Sequence, residues 1–278
     1  MSSLKELVAA RFGIDVDCGT DMAAEGTLAG ILGRGSQRHY TDKPVSDDLL
    51  HVLLACAQSA PTKSDLQQYS IVVVKDPARR EALSDLGSGM DWPPKAPVFL
   101  VFCADIRRVR RLAEKRGYAH QNDNLDTFMN GVVDAALAMG SFITAAEAAG
   151  LGTCPISQIR NKIDRACEIL ELPDGVFPIA GLAVGWPQFP TPRLSLRLPP
   201  SVVVHTDRYD ENALDADVEA YDRRRHEHRA IPPEKQRLVD KYGAVDYCPW
   251  SENATRQLSE PERAGFRAFL ETHGFALK

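Results

Sequence analysis

Five consecutive residues, Arg34-Gly35-Ser36-Gln37-Arg38, place two guanidinium groups and a hydroxyl on one short stretch of chain. Arginine grips phosphate through a planar, bidentate fork, so this spacing points to anion binding. Pro61-Thr62-Lys63-Ser64-Asp65 adds hydroxyls, an ammonium and a carboxylate. Arg193 and Arg197 supply two further cations within the proline-rich segment 187–200. Together these groups suit a phosphorylated planar cofactor held at several points, although each signal is weak alone and the Arg34–Arg38 cluster by itself reads more readily as solvated surface. A last basic run, Arg223, Arg224, Arg225, His226, His228 and Arg229, is interleaved with Asp217, Glu219, Asp222 and Glu227. It is either an anion grip or an ion-paired helix face.

Other chemistries lack their signatures. There is no G-x-S-x-G elbow, P-loop, H-E-x-x-H or strand-borne G-x-G-x-x-G,. His226 and His228 lie two apart on an expected helix and face different directions, so no metal site is predicted. Cys154, next to Pro155, reads as a buried, inert thiol or as a reactive one,.

The elements that must position these groups follow from periodicity. Leu4, Leu7, Val8 and Phe12 predict an opening helix, followed by an irregular acidic arm over 13–26,. Leu28, Ile31 and Leu32 start a second helix that stops at Gly33 or Gly35. Ser46 is a plausible N-cap for a helix over 47–59,. Strands are expected at 70–75, 98–104, 179–185 and 202–205, and helices at 77–86, 127–150, 158–172, 211–229 and, capped by Ser259, 260–273. The helix over 127–150 is apolar nearly all round, as a core or interface helix should be. Its length would also suit a bilayer, but Asn130, Asp134 and Glu147 oppose that,. Helices and strands alternate without a strict βαβ rhythm, which makes the class α+β.

Composition narrows the function. The chain of 278 residues is 44% hydrophobic with a net charge of −5, which excludes wholesale disorder and disfavours a nucleic-acid partner. The N-terminus lacks a signal-peptide core. Six cysteines form no C-x-x-C pair and are expected as free thiols in a cytoplasmic protein that engages no membrane.

The order of the polar segments resembles the nitroreductase family of flavoproteins. Arg34 to Pro44 resembles its opening R-x-S-x-R-x-[FY]-x-x-x-P motif, and Ala60-Pro61-Thr62 its second FMN loop. Gly150 to Ser157 resembles its flavin-edge loop, and Leu172 to Pro187 its L-P…G-x-P segment, with Arg197-Leu198-Pro199 following. Trp250-Ser251-Glu252 and the C-terminal helix ending in Gly274-Phe275 are similar to the NADPH-dependent nitroreductase and flavin reductase branch. Two positions depart from the pattern: Gly35 replaces a side-chain-bearing residue, and Ser195 stands where a lysine is common, with Arg193 as its substitute.

The resemblance implies a mixed sheet wrapped by helices, built as an intertwined homodimer with much of the interface from 127–150. It divides the chain into an arm, 1–27, and an FMN-binding domain, 28–278, with a C-terminal helical excursion over about 206–278. Arg34, Gly35, Ser36 and Arg38 would contact FMN, and Arg197, with Arg193, its phosphate. Pro61, Thr62 and Lys63 would lie beside a flavin, largely the partner's. Pro155, Ile156 and Ser157 would pack on the ring, with the Ser157 N–H toward flavin N5. No side chain is assigned as catalytic. The implied activity is ping-pong hydride transfer from NADPH or NADH to a small-molecule electron acceptor such as a nitroaromatic or quinone. Flavin reduction, ene reduction, an O₂-linked oxidation and a flavin-free binding protein are the alternatives. Arg223, Arg225, Arg229 and Arg256 are the candidates for the NADPH 2′-phosphate.

Overall fold

A computed structural model describes residues 3–16, 22–87, 92–189 and 191–278. Its helices, in chain order, are α1 (Leu4–Phe12), α2 (Gly26–Gly33), α3 (Asp47–Gln58), α4 (Pro77–Ser84), α5 (Arg107–Arg116), α6 (Leu125–Ala148), α7 (Ile163–Leu170), α8 (Pro200–Val203), α9 (Leu214–His228), α10 (Val239–Tyr242), α11 (Trp250–Leu258) and α12 (Phe266–Thr272). The strands are β1 (Tyr69–Val73), β2 (Val98–Asp105), β3 (Gly152–Ile156) and β4 (Val176–Gly185). The chain divides into two compact units. A sheet unit comprises 36–192 and 263–278, and a helical unit comprises 1–35 and 193–262.

In the sheet unit the strand order is β1-β2-β4-β3, with every described pairing antiparallel. The expected mixed sheet is thereby corrected: every described pairing is antiparallel, helices lie in the β1–β2 and β3–β4 connections, and β2 and β4 pair across a crossover that skips β3. β2 and β4 are buried at every position, which explains their continuous apolar sequence. Against them lies α6, whose buried face carries Gly131, Asp134, Ala135, Ala138, Phe142 and Ala146. Phe142 meets Phe102 edge-on at 6.1 Å. The opposite face of α6 exposes Leu125, Met129, Val133 and Leu137, spaced four apart and so forming one stripe. Length and composition alone would let α6 span a membrane.

Several expectations hold. Ser46 caps α3 through a bond from the Leu49 N–H, and the first two helices form at α1 and α2. Others need correction. Residues 202–205 were expected as a strand but follow Pro199-Pro200 into the short α8, because proline pre-sets the φ of a first helical turn. Ser259 closes α11 rather than capping the last helix, which starts after Gly265. The loop over 150–157 contains β3, and the helix over 158–172 splits into a 3₁₀ turn, Ser157–Arg160, and α7. The very basic α5, absent from the sequence expectations, places Val109, Leu112 and Ala113 at helical spacing, but none of its residues is buried.

In the helical unit α1 packs on α2, and α9 on α8 and α11. Ser3 caps α1, and Gly13 closes it at φ +66 with its N–H on the Ala9 carbonyl. Left-handed backbone of this kind favours glycine at a helix end.

Candidate functional site

In the sheet unit, the segment that carries Ser36 and Arg38 is sewn along the strands. The Gln37 N–H donates to the Thr153 carbonyl at 2.9 Å, and the Thr41 N–H to that of Trp186 at 2.9 Å. The Tyr40 hydroxyl donates to the carbonyl of Gln37 at 2.6 Å and lies 3.2 Å from that of Ala183. A side chain at Gly152 would put its Cβ 2.7 Å from Gln37 Cβ, so glycine is what permits this close approach. Ser36 and Arg38 stay exposed, and the Arg38 guanidinium lies 5.9 Å from the Trp92 ring centre.

β3 beside this segment is an edge strand, and Pro155 is its one exposed residue between buried Cys154 and Ile156. Proline is tolerated there because an edge position need not donate to a neighbouring strand. Ser157 is exposed and opens the 3₁₀ turn, a position whose N–H lacks a partner within the turn. Its carbonyl accepts from Arg263 at 3.5 Å, while Arg263 Nε donates to Asn161 at 3.0 Å. The structure therefore brings the 36–38 segment and Pro155, Ile156 and Ser157 onto adjacent stretches of chain.

Pro61, Thr62 and Lys63 are organised differently. Asp134, fully buried on α6, accepts the Lys63 N–H at 2.9 Å and the Gln68 N–H at 3.0 Å. Between those anchors Ser64, Asp65 and Gln67 take left-handed backbone at φ 50, 58 and 50. Such residues cost on the order of 1–3 kcal/mol each and persist where the surroundings over-determine them. Asp134, which the sequence reading noted only as a charge within an apolar helix, positions this loop.

In the helical unit, Arg34, Gly35, Arg193 and Arg197 lie on two segments that meet at Arg11. Arg11 is buried and donates to the carbonyls of Leu32, Arg34 and Ser195. Burial, and then the charges of Arg197 and Arg34, push its pKa below the ordinary guanidinium value. The positive charges of Arg197 and Arg34 thus act on the Arg11 guanidinium,. Arg193 and Arg197 are exposed.

A cavity of about 540 Å³ in this unit is lined by Phe12, Arg197, Tyr221, Arg225 and Trp250, among others. Tyr221 donates to the Leu196 carbonyl at 3.2 Å and meets Trp250 edge-on at 5.5 Å. Of the basic run, only Arg225 lines this cavity, with its Nη1 3.4 Å from the Tyr221 hydroxyl and its buried Nε without a partner. Arg223 pairs with Glu219 at 3.6 Å on the exposed face, and Arg229 follows α9 as an exposed residue. Arg256 needs correction as an open cation. It is 5% exposed and bonds Glu252 and the Gly243 carbonyl, both at 2.7 Å.

Residues 31–186 match the nitroreductase family model, and residues 195–278 the model of the nitroreductase family, C-terminal domain. This chain belongs to the nitroreductase family. Among its relatives is an FMN reductase [NAD(P)H] of Bacillus subtilis, 37% identical over 254 residues, covering 90% of this chain and 98% of the relative. An oxygen-insensitive NADPH nitroreductase of Salmonella typhimurium is 35% identical, covering 91% of this chain and 99% of its own length. The solved structure of NfrA2 from B. megaterium superposes with a TM-score of 0.81 at 32% identity, covering 91% of this chain and 98% of that one.

Within this nitroreductase-family chain no disulfide joins the described cysteines, Cys56, Cys103, Cys154, Cys167 and Cys248, and Cys18 lies outside the described residues. Cys154 is buried in β3. Burial raises the Cys103 thiol well above its ordinary pKa and pushes Cys167 up to about 12, so these two remain protonated thiols at neutral pH.

Three residues that hold these segments in place gave no clear signal in the sequence. Arg11 looks like a routine basic residue in the last turn of a helix, Asp134 like a stray charge, and Arg263 like loop surface. The one available signal was Asp134, a charge on the apolar face that the helix must bury.

Proposed function

We propose that this protein is an FMN-dependent NAD(P)H oxidoreductase that passes hydride to a small electron-poor acceptor, a nitroaromatic or a quinone. The observation that carries this reading is the family match over 31–186 and 195–278. Bound FMN would supply hydride acceptance and release at its N5, so no side-chain acid or nucleophile is required. The residues fit such a group. In the helical unit, Arg34 and Arg197, on two segments that meet at Arg11, with Arg193 on the same segment as Arg197, suit the phosphate. In the sheet unit, exposed Pro155 would offer an apolar surface to the ring, and the Ser157 N–H at the head of its turn would donate to N5. Proline at 155 cannot make that bond, having no N–H. Ser36 and Arg38 take the ribityl and pyrimidine side. Pro61, Thr62 and Lys63, held by Asp134, are assigned to the flavin of a second subunit.

The subunit assignment rests on α6. Its stripe of Leu125, Met129, Val133 and Leu137 is exposed, and an unpartnered apolar stripe of that length marks an interaction surface. We read its partner as a second copy, and the protein as a cytoplasmic homodimer of an arm, 1–27, followed by the FMN-binding domain. Light scattering should give twice the chain mass of 30.6 kDa.

Flavin reduction is the second reading, favoured by the relative named as an FMN reductase. The purified protein should be yellow and release FMN on denaturation. Turnover with NADPH, compared among a nitroarene, a quinone and free FMN, ranks the acceptors. A colourless protein that cannot be loaded with flavin would overturn the proposal.

A further inference from the structure

Helix α1 precedes both segments matched by the family models, which begin at residue 31 and residue 195. Its last turn nonetheless holds a cation, Arg11, bonded to three main-chain carbonyls. Arg11 Nε donates to the Leu32 carbonyl at 3.0 Å, Nη2 to the Arg34 carbonyl at 2.7 Å, and Nη1 to the Ser195 carbonyl at 3.0 Å. In return, the Arg11 carbonyl accepts the Arg197 N–H at 3.0 Å. The helix ends against the same strip of chain, since a Cβ on Gly13 would stand 3.1 Å from Leu196 Cδ1. One buried side chain thus ties together the main chain on which Arg34 and Arg197 are mounted.

The bonds are one-directional in charge. A guanidinium offers donors only, and Arg11 spends them on carbonyls rather than on a carboxylate. The Arg197 side chain, exposed, bonds the carbonyls of Ser195 and Leu196 at 3.3 and 3.4 Å. Burial strips Arg11 of water, and its three carbonyl partners satisfy the guanidinium in place of that water,.

We propose that Arg11 is a positioning residue for the cofactor phosphate, pinning the 32–34 and 195–197 segments so that Arg34 and Arg197 take the same phosphate. The inference rests on the FMN reading above. It makes the N-terminal helix a working part of the binding site rather than an appendage.

The test compares FMN with riboflavin, which has the same ring and ribityl chain but no phosphate. Binding of each is measured by flavin fluorescence on the full-length protein after flavin removal, for wild type, Arg11→Lys, Arg11→Met and Arg197→Ala. Lysine keeps the charge but cannot span the three carbonyls. Wild type should prefer FMN. Both Arg11 variants should lose about tenfold or more in FMN affinity while riboflavin changes by less than about twofold, as Arg197→Ala should. Circular dichroism checks that each variant folds, and if Arg11→Met does not, Arg11→Lys carries the test. Parallel weakening of both flavins would make Arg11 merely structural and overturn the proposal, as would unchanged FMN affinity in either folded variant. A wild type that binds FMN no more tightly than riboflavin would sink the phosphate site itself. A wild type that prefers FMN beside indifferent Arg11 variants would spare that site and remove only the role of α1.

Discussion

The two compact units are held together by different forces. Both large apolar clusters lie in the sheet unit, around Phe102, Phe142 and Phe177 on one face and Phe99, Val101 and Cys103 on the other. The helical unit buries only Leu4, Leu7, Leu196, Tyr221 and Cys248 among its hydrophobic described residues, beside the polar Arg11, Asp222, Gln236 and Arg256. Its order therefore depends on directional bonds. Arg256 bonds the Gly243 carbonyl, and Gln236 bonds the Val245 carbonyl at 2.7 Å and accepts its N–H at 3.0 Å. Asp222 accepts the Ser251 N–H at 3.0 Å at the start of α11. A unit built on apolar area tolerates polar change at its rim, whereas one built on hydrogen bonds fails when a single partner goes, since the orphaned group stays buried.

That contrast can be broken in the core first. Phe102→Ala or Phe142→Ala should cost about 3–5 kcal/mol, the range for emptying a buried aromatic site. Chemical denaturation reads this directly, and a loss well under about 1 kcal/mol would mean that the sheet unit is not the main source of stability.

Next come two buried carboxylates, Asp134 in the sheet unit and Asp222 in the helical unit. Asp134→Ala should cost roughly 2–3 kcal/mol by orphaning the Lys63 and Gln68 N–H groups, and Asp222→Ala roughly 1–3 kcal/mol by orphaning that of Ser251,. Hydrogen exchange sharpens the comparison. The Asp134 variant should lose protection at 63–68, and the Asp222 variant at the first turn of α11. Uniform loss across the chain would show that the units do not open separately.

Alkali should act on the sheet unit. Burial, aided by the neighbouring Cys154, raises the Tyr40 hydroxyl, and burial raises the Cys103 and Cys167 thiols. All three are neutral when folded, so their contribution is complete below the unfolded values. It declines as pH rises from about 9 toward the folded values, about 12 for Cys167, because the unfolded chain releases those protons more readily. A melting temperature that holds steady from pH 8 to about 11 would contradict this.

The smallest effect belongs to the basic run on α9. Arg223→Ala removes only an exposed pair with Glu219, which should change stability by less than about 0.5 kcal/mol and leave the NADPH/NADH ratio of kcat/KM alone. Arg225→Ala, at the cavity, should erode that ratio, more at low salt than at high. Equal ratios for wild type and both variants would place the donor site elsewhere.

Local periodicity was enough to read the elements whose residues face one environment. Continuous apolar runs became β2 and β4, capping chemistry became α3, and α6 emerged from its length and composition. The ordered polar segments, through their resemblance, indicated the family. What sequence could not supply was the partner of each polar residue. Arg11 meets the Ser195 carbonyl across 184 positions, and Asp134 meets the Lys63 N–H across 71; no short-range pattern records such separations. α5, which buries none of its residues, went unread, and at 202–203 the adjacent Pro199-Pro200 overrode the β-branched run and gave the short α8,. The amino-acid sequence by itself determined β2, β4, α1, α2, α3 and α6 and the order of the polar segments, because propensity and burial act over a few neighbours. Only the tertiary structure decided which charges are buried, which are open and which carbonyls hold them, because a buried ion survives only where distant backbone satisfies it.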